Sequence, residues 1–338
     1  MIMPFHQKRK KEVIDGLKIA FWSNSPGKSG VTGNLSCISI LSAMIQPSKM
    51  VLFENHSNIN NLGSMFLNQN SYDKLKEENS YFVENGLGRI LNCCDMGDDV
   101  SSGIVLRTCL SVFDQRVFYL PPGGMNRDLL EFRLNRHAEN VMDLLEQVCG
   151  TVCVDLSSSS LESSRKILKE ADLIVVNLCQ NDQLLSHFFR NFSEIRKKAF
   201  YIIGNYDPES IIRKSDIVRR FGISGNMVGT IPYNRRFADA LTKGNVVTYL
   251  LKNFSCGADN INYEFISAAK ETACLFEQVK EAYSKEKIGG EGSEKKGDPS
   301  HAVSSGGNSV SDTREGGCGH YQTGRNSQGT GTGAGTEW

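Results

Sequence analysis

The 338-residue sequence lacks several features that would assign it quickly to a class of protein. Its ten cysteines include no Cys-x-x-Cys pair and its six histidines have no finger-like spacing, which argues against a zinc finger or a small disulfide scaffold. No apolar run approaches the roughly 18–20 residues of a membrane span. The basic residues within 1–11 are not followed by an apolar stretch long enough for a signal peptide. We therefore expect a cytoplasmic protein without stable membrane insertion.

The sequence also lacks an excess of basic charge. Its 38 lysines and arginines balance its 38 aspartates and glutamates, so the formal net charge is zero. A general nucleic-acid binder needs a positive field over much of its surface. Binding to nucleic acid therefore has no support from the charge balance, although it stays open.

What the sequence does contain is a glycine-rich loop between a strand pattern and a helix pattern. The apolar run 17–23 predicts a strand, and the apolar residues of 35–45 recur at helical spacing. Gly27, Gly30 and Gly33 lie between them. Such a loop directs backbone N–H groups and the positive end of a helix dipole at an anion, so we predict phosphate binding here.

The rest of the chain alternates between apolar strands and amphipathic helices. This alternation predicts an α/β fold, a doubly wound and mostly parallel sheet of about seven strands with helices on both faces. The predicted strands are 17–23, 49–56, 112–120, 151–156, 173–178, 200–205 and 227–232. The predicted helices are 35–45, 62–67, 72–77, 86–93, 128–148, 161–169, 183–197, 209–221, 237–241, 246–250 and 263–283.

Composition divides the chain into three parts. Residues 1–15 form a polar lead-in, and residues 16–287 form the α/β domain. Residues 288–338 are dominated by Gly, Ser and Thr and have hardly any large aliphatic side chain. Such a segment buries too little apolar surface to offset its ordering entropy, so we predict a disordered tail.

Two known phosphate-binding patterns compete for the glycine loop. The standard P-loop, Gly-x4-Gly-Lys-Ser/Thr, does not match its spacing. Gly-x-x-Gly-x-x-Gly also occurs in atypical short-chain dehydrogenases, where Glu54, 21 residues after Gly33, would hold a ribose hydroxyl. The Tyr-x-x-x-Lys motif of those enzymes occurs here only at Tyr72 and Tyr283, too early and too late in the chain. An NAD(P)-dependent oxidoreductase therefore stays an alternative.

A third pattern includes the helix behind the loop. Residues 28–43 resemble the deviant Walker motif of the ParA/MinD ATPases, Lys-Gly-Gly-Val-Gly-Lys-Thr-Thr followed by an apolar helix. In this alignment Lys28 lies at the signature lysine, Gly33 at the P-loop lysine and Asn34 at the magnesium-binding threonine. Segments similar to later parts of the family pattern follow in order at 51–62, 118–122, 152–156 and 229–240.

The resemblance implies ATP or ADP with Mg²⁺ as the ligand, and it assigns roles to individual residues. It implies catalytic roles for Lys28, Glu54 and Asp155, and metal contacts for Asn34 and Asp155. It places His56 at the second of the family's two aspartates after the second strand. The residues that it places around the nucleotide are Gly27, Lys28, Ser29, Gly30, Val31, Thr32, Gly33, Asn34, Leu35 and Pro232.

The resemblance also sets the expected function. ParA/MinD proteins are dimers switched by nucleotide; TadZ/CpaE-like relatives localise secretion machinery, and others segregate plasmids. We therefore expect a homodimeric positioning or assembly factor with protein partners in a partition, conjugation or secretion system. Because Gly33 supplies no ammonium to the phosphates, we expect a pseudo-ATPase with weak or absent hydrolysis. A scaffold that binds no nucleotide is the third alternative.

Overall fold

The sheet at the centre of the structure has eight strands. The computed structural model describes residues 16–294 except Pro26, 75–84, 98–100 and 157–160, with side chains through Ile288. The predicted lead-in 1–15 and the predicted tail from residue 295 onward lie outside the described residues. The strands are β1 (Leu17–Trp22), β2 (Met50–Glu54), β3 (Leu110–Phe113), β4 (Val117–Tyr119), β5 (Thr151–Asp155), β6 (Leu173–Leu178), β7 (Ala199–Tyr206) and β8 (Val228–Pro232).

The strand order is β3-β4-β2-β5-β1-β6-β7-β8. Every neighbouring pair is parallel except β3 with β4. This confirms the predicted α/β class and the mostly parallel sheet. The count differs from the expected seven because the predicted strand 112–120 is an antiparallel hairpin, whose turn residues Asp114 and Gln115 have φ angles of 44° and 51°.

Helices cover both faces of the sheet, as a parallel sheet requires. They are α1 (Val31–Ile45), α2 (Leu62–Phe66), α3 (Gly86–Met96), α4 (Ser102–Thr108), α5 (Arg127–Cys149), α6 (Glu162–Glu170), α7 (Asp182–Asn191), α8 (Ser193–Arg196), α9 (Lys214–Phe221), α10 (Arg235–Thr242), α11 (Val246–Asn253) and α12 (Tyr263–Glu294). Residues 69–74 are also helical. Within the described part of the chain, no helix combines the length and apolar character needed to cross a bilayer.

Alternate strand residues divide the apolar core into two layers. In β1, Ala20 and Trp22 pack into one layer, while Ile19 and Phe21 pack into the other. The first layer is closed by buried side chains of α3 to α9. The second is closed by α1, α2, α10, α11 and α12. The glycine loop therefore leads from a strand in which all residues but Lys18 are buried into a helix whose inner side is also buried.

The last helix fastens the second layer. Gly229 allows α12 to approach β8, since a Cβ there would lie 2.3 Å from Thr272 Cγ2. The Thr272 hydroxyl accepts from the Thr230 N–H and donates to the Thr230 carbonyl, both at 2.8 Å. The helix extends past residue 287, at which the sequence places the end of the domain. The domain limits themselves stay predictions.

A polar contact joins α12 to α1 within this layer. Glu277 and Lys280 are both buried, and Lys280 Nζ lies 2.6 Å from Glu277 Oε1. The same carboxylate oxygen accepts a hydrogen bond from the Ser42 hydroxyl on α1. Lys280 also donates to Ser48 Oγ at 3.2 Å. The helix that follows the glycine loop is thus held from behind by an ion pair on α12.

Candidate functional site

The glycine loop lies at the point where the order of the strands in the sheet changes direction. β1 pairs with β5 on one side and with β6 on the other, so the connections from these strands diverge at the carboxyl end of β1. Ligands of open α/β sheets bind in the crevice outside the carboxyl ends of the strands at such a switch point. Residues 23–30 join β1 to α1 at this place.

The loop ends in a helix start without a side-chain cap. Gly27 and Gly30 have positive φ angles of 72° and 67°, which glycine adopts without strain. Gly30 is the N-cap of α1, and the first intrahelical hydrogen bond runs from the Asn34 N–H to the Gly30 carbonyl at 2.8 Å. The first turn has no acidic side chain. The amides that open the helix are therefore not capped by a side chain of the N-cap residue.

Asn34 fastens the loop to the sheet. Its Nδ2 donates to the Ser29 carbonyl at 2.9 Å and to Asn177 Oδ1 at 2.8 Å. Asn177 in turn donates to the carbonyls of Trp22 and Val175 at 3.3 Å and 3.1 Å. The side-chain nitrogen Nδ2 of Asn34 is therefore used in hydrogen bonds within the fold. This leaves the side-chain oxygen Oδ1 as the atom for the predicted metal contact.

Two residues of β7 complete the support of the loop. Gly204 lets the loop approach, since a Cβ there would lie 2.1 Å from the Ser29 carbonyl oxygen and 2.5 Å from Asn34 Nδ2. Asn205, with a φ of 49°, donates from Nδ2 to the Lys28 carbonyl at 3.4 Å. Sequence reasoning missed Gly204 and Asn177. The available signal was a polar residue and a glycine inside otherwise apolar strands, which require a partner or a close approach.

The other predicted loop residues differ in their surroundings. Ser29 is 1% exposed, and its Oγ has no hydrogen-bond partner within the described residues. The Lys28 side chain is exposed on the loop. Leu35 is fully buried in the second core layer, and a Cβ at Gly33 would lie 3.2 Å from Leu241 Cδ1 of α10. Val31 and Thr32 are half-buried in the first turn of α1, and Pro232 is half-buried at the end of β8.

A second group of predicted residues forms a buried cluster beside the loop. Glu54 on β2 and Asp155 on β5 are register partners, and His56 follows the end of β2. Each of the three offers a ligand atom within 4.8 Å of the others. The Glu54 carboxylate accepts from the Leu62 N–H at 2.9 Å and from the Tyr119 hydroxyl at 2.7 Å. The structure thus brings Glu54, His56 and Asp155 together.

Burial changes the protonation of this cluster. It raises the pKa of the Glu54 carboxyl to about 7, against the lowering effects of His56, the Leu62 N–H and Tyr119. Burial disfavours protonated His56, but the adjacent Asp155 and Glu54 carboxylates outweigh it, and the pKa of His56 is raised. Burial and the Glu54 carboxylate raise the pKa of Tyr119 well above its ordinary value. The Tyr119 hydroxyl therefore stays a hydrogen-bond donor.

The free energy of unfolding should fall as the pH rises from about 4.5 to 7. Between the ordinary pKa of Glu54, 4.5, and its raised value of about 7, the folded chain holds a proton that the unfolded chain has lost. The unfolded state then binds fewer protons, so stability decreases with pH, by about 3 kcal/mol across the window. The raised pKa of His56 adds a further decrease in the free energy of unfolding at higher pH. Urea unfolding in EDTA at several pH values measures the trend.

The matched variant for this trend is Glu54→Gln, which keeps the shape of the side chain and removes its titration. We expect its stability to change much less between these pH values. Glu264→Gln on the exposed start of α12 is the control and should keep the wild-type slope. Equal slopes in wild type and Glu54→Gln would contradict the assignment to Glu54.

No family model matches the sequence, and no curated protein matches it either. The ParA family ATPase from Chlorobium tepidum TLS superposes with a TM-score of 0.57 at 13% identity, covering 77% of this chain and 98% of that one. The cell division ATPase MinD from Pyrococcus furiosus gives 0.57 at 12% identity, with 78% and 99% covered.

A third solved structure is a putative plasmid partition protein from Borrelia burgdorferi B31 bound to AMPPNP. It superposes with a TM-score of 0.52 at 16% identity, covering 78% of this chain and 99% of that one. These similarities establish that the chain has a P-loop NTPase fold. Within that class, the fold is the type found in ParA and MinD ATPases. The three structures give no support to the dehydrogenase alternative.

Proposed function

We propose that the chain binds ATP or ADP with Mg²⁺ at the glycine loop and acts as a positioning or assembly factor. The observation that carries the proposal is the helix start at Gly30, which has no side-chain cap and lies at the switch point of the sheet. Helix N-termini after glycine loops bind phosphate because their amides and dipole favour an anion. The Borrelia burgdorferi partition protein of the same fold is bound to AMPPNP.

The residues beside the loop fit a cation as well as a phosphate. The Oδ2 atom of Asp155 is buried and accepts no hydrogen bond within the described residues. When bound, Mg²⁺ would supply positive charge to the phosphates, held by Asp155 and the carbonyl oxygen of Asn34. The exposed Lys28 would supply a second positive charge, to its own site or to that of a second copy in a homodimer.

Catalysis is expected to be weak. Gly33 brings no ammonium to the phosphates, and a side chain at this position would start against Leu241. Removing one electrostatic contact to a transferring phosphoryl group costs orders of magnitude in rate. We therefore propose a switch that depends on nucleotide occupancy more than on turnover, working with protein partners of a partition, conjugation or secretion system.

Calorimetry with ATP, ADP and NADPH, each with and without Mg²⁺, tests the proposed ligand. We expect stoichiometric binding of ATP and ADP that is strengthened by Mg²⁺, no binding of NADPH and little phosphate release. Binding of NADPH alone would make the chain a dinucleotide protein. Binding of none of the three would leave the scaffold alternative.

Thr32→Glu tests where the phosphates bind. A carboxylate in the first turn of α1 competes with phosphate but interacts favourably with the helix dipole. We therefore expect ATP affinity to fall about tenfold or more while stability rises by about 0.3–1 kcal/mol. Thr32→Gln is the neutral control and should change neither quantity in this way. Unchanged ATP affinity in Thr32→Glu would place the nucleotide away from the start of α1.

A further inference from the structure

The buried cluster of Glu54, His56 and Asp155 has a donor set that differs from a magnesium site. It offers one imidazole nitrogen and two carboxylates, and the three residues are 1%, 6% and 1% exposed. Magnesium prefers an octahedral shell of oxygens and keeps several waters. An imidazole nitrogen with carboxylates suits Zn²⁺ and similar transition-metal ions instead.

The distance between two of the donors fits an ion between them. His56 Nε2 lies 3.3 Å from Asp155 Oδ2. Two ligands bound at about 2.0–2.1 Å to a tetrahedral ion are separated by about 3.4 Å. Although the two atoms are this close, Asp155 Oδ2 accepts no hydrogen bond within the described residues. The partner of this oxygen in the structure is the protonated imidazole of His56, and a metal ion would take the place of that proton between the two atoms.

Neighbouring residues orient the third donor. The Tyr119 hydroxyl and the Leu62 N–H each hold one oxygen of the Glu54 carboxylate, and outer hydrogen bonds of this kind fix metal ligands in place. A carboxylate oxygen has two lone pairs, so each still has one for a metal. The fourth position of the ion remains for water, as in zinc sites with three protein ligands.

A cleft borders two of the three residues. A cleft of about 320 Å³ is lined by Glu54 and His56 together with Asn58, Tyr72 and Tyr119. This volume admits a hydrated ion and the water that completes its shell. Binding through Nε2 puts the imidazole proton on Nδ1, which the Asn58 N–H faces at 3.4 Å. The Asn58 N–H must then turn away from Nδ1. Residues 57–60 have room to do so because they are exposed.

We infer that Glu54, His56 and Asp155 bind a Zn²⁺-type divalent transition-metal ion in the absence of nucleotide. The inference shares Asp155 with the proposed Mg²⁺ contact, but none of its steps uses the glycine loop or a phosphate. If nucleotide fails to bind, the metal site is unaffected. If the metal fails to bind, the backbone amides proposed to bind phosphate at the start of α1 are unchanged.

The test is calorimetric titration of the nucleotide-free full chain, stripped with EDTA, with Zn²⁺, Co²⁺ and Mg²⁺. We expect stoichiometric binding of Zn²⁺ and Co²⁺ and at least about 100-fold weaker binding of Mg²⁺. The absorption spectrum of the Co²⁺ form should lack a thiolate charge-transfer band, because no cysteine is a ligand. A thiolate band, or Mg²⁺ binding as tight as Zn²⁺ binding, would overturn the inference.

Variants assign the binding to the cluster. His56→Gln and Asp155→Asn should each lower Zn²⁺ affinity by about 100-fold or more. Circular dichroism of each variant checks its folding, and His56→Gln alone decides the question if Asp155→Asn does not fold. The control is His137→Gln, which removes another imidazole paired with a carboxylate, Asp95, at 2.7 Å. Wild-type affinity in His56→Gln, or an equal loss in His137→Gln, would refute the site.

Discussion

Gly204→Ala is expected to lower the free energy of unfolding by about 2–3 kcal/mol and to weaken ATP binding at least about tenfold. The added Cβ would lie 2.1 Å from the Ser29 carbonyl oxygen and 2.5 Å from Asn34 Nδ2. These two groups form the hydrogen bond that closes the loop. The loop must therefore move away from β7, and the amides at the start of α1 move with it. Urea unfolding and calorimetry with ATP measure the two effects.

Gly225→Ala is the matched control for this substitution. A Cβ at Gly225 meets no atom within 4 Å, and this glycine has no positive φ. We expect its stability and ATP affinity to stay near those of the wild type. If Gly204→Ala binds ATP as tightly as Gly225→Ala does, the position of the loop against β7 does not control nucleotide binding.

Lys280→Met should destabilise the chain by about 3–5 kcal/mol, because it leaves the Glu277 carboxylate buried without its cation. The contact joins α12 to α1 through Ser42, so its loss also loosens the helix behind the glycine loop. Chemical unfolding at neutral pH measures the change. The pair Lys285 and Glu281 on the same helix is exposed, and Lys285→Met should cost only about 0–1 kcal/mol.

A double variant separates the lost charge pair from lost packing. Glu277→Leu combined with Lys280→Met replaces both charges by apolar side chains of similar size. Such replacements are often neutral or stabilising, so the double variant should recover most of the stability lost in Lys280→Met. A double variant as unstable as the single one would show that packing around Lys280, and not the unpaired charge, causes the loss.

The alternation of strands and helices could be predicted because it depends on local periodicity. The apolar runs 151–156 and 173–178 correspond closely to β5 and β6, which are covered on both faces. The hairpin of β3 and β4 escaped prediction because its turn carries Asp114 and Gln115 and no glycine. Glycine after Asn or Asp is the usual signal of a tight hairpin turn.

The site was predictable only in part, for a different reason. Glu54 and Asp155 stand at the ends of apolar strands, and the ParA/MinD resemblance placed both near the loop. Their closeness depends on β2 lying beside β5, which is a property of the strand order. The anchor of the loop joins Asn34 to Asn177, 143 residues apart. Neither composition nor spacing indicates which distant residues will meet in this way.

The contact between Thr272 and β8 has a consequence for how copies of this chain can associate. β8 is the last strand of the sheet, and its outward N–H and carbonyl at Thr230 are already bonded to the Thr272 hydroxyl. At the opposite edge, β3 has four residues, and its register shifts between Ser111 and Phe113. Short, irregular or covered edges are poor templates for another strand. Neither edge is therefore a good template for extending this sheet with a strand of a second copy.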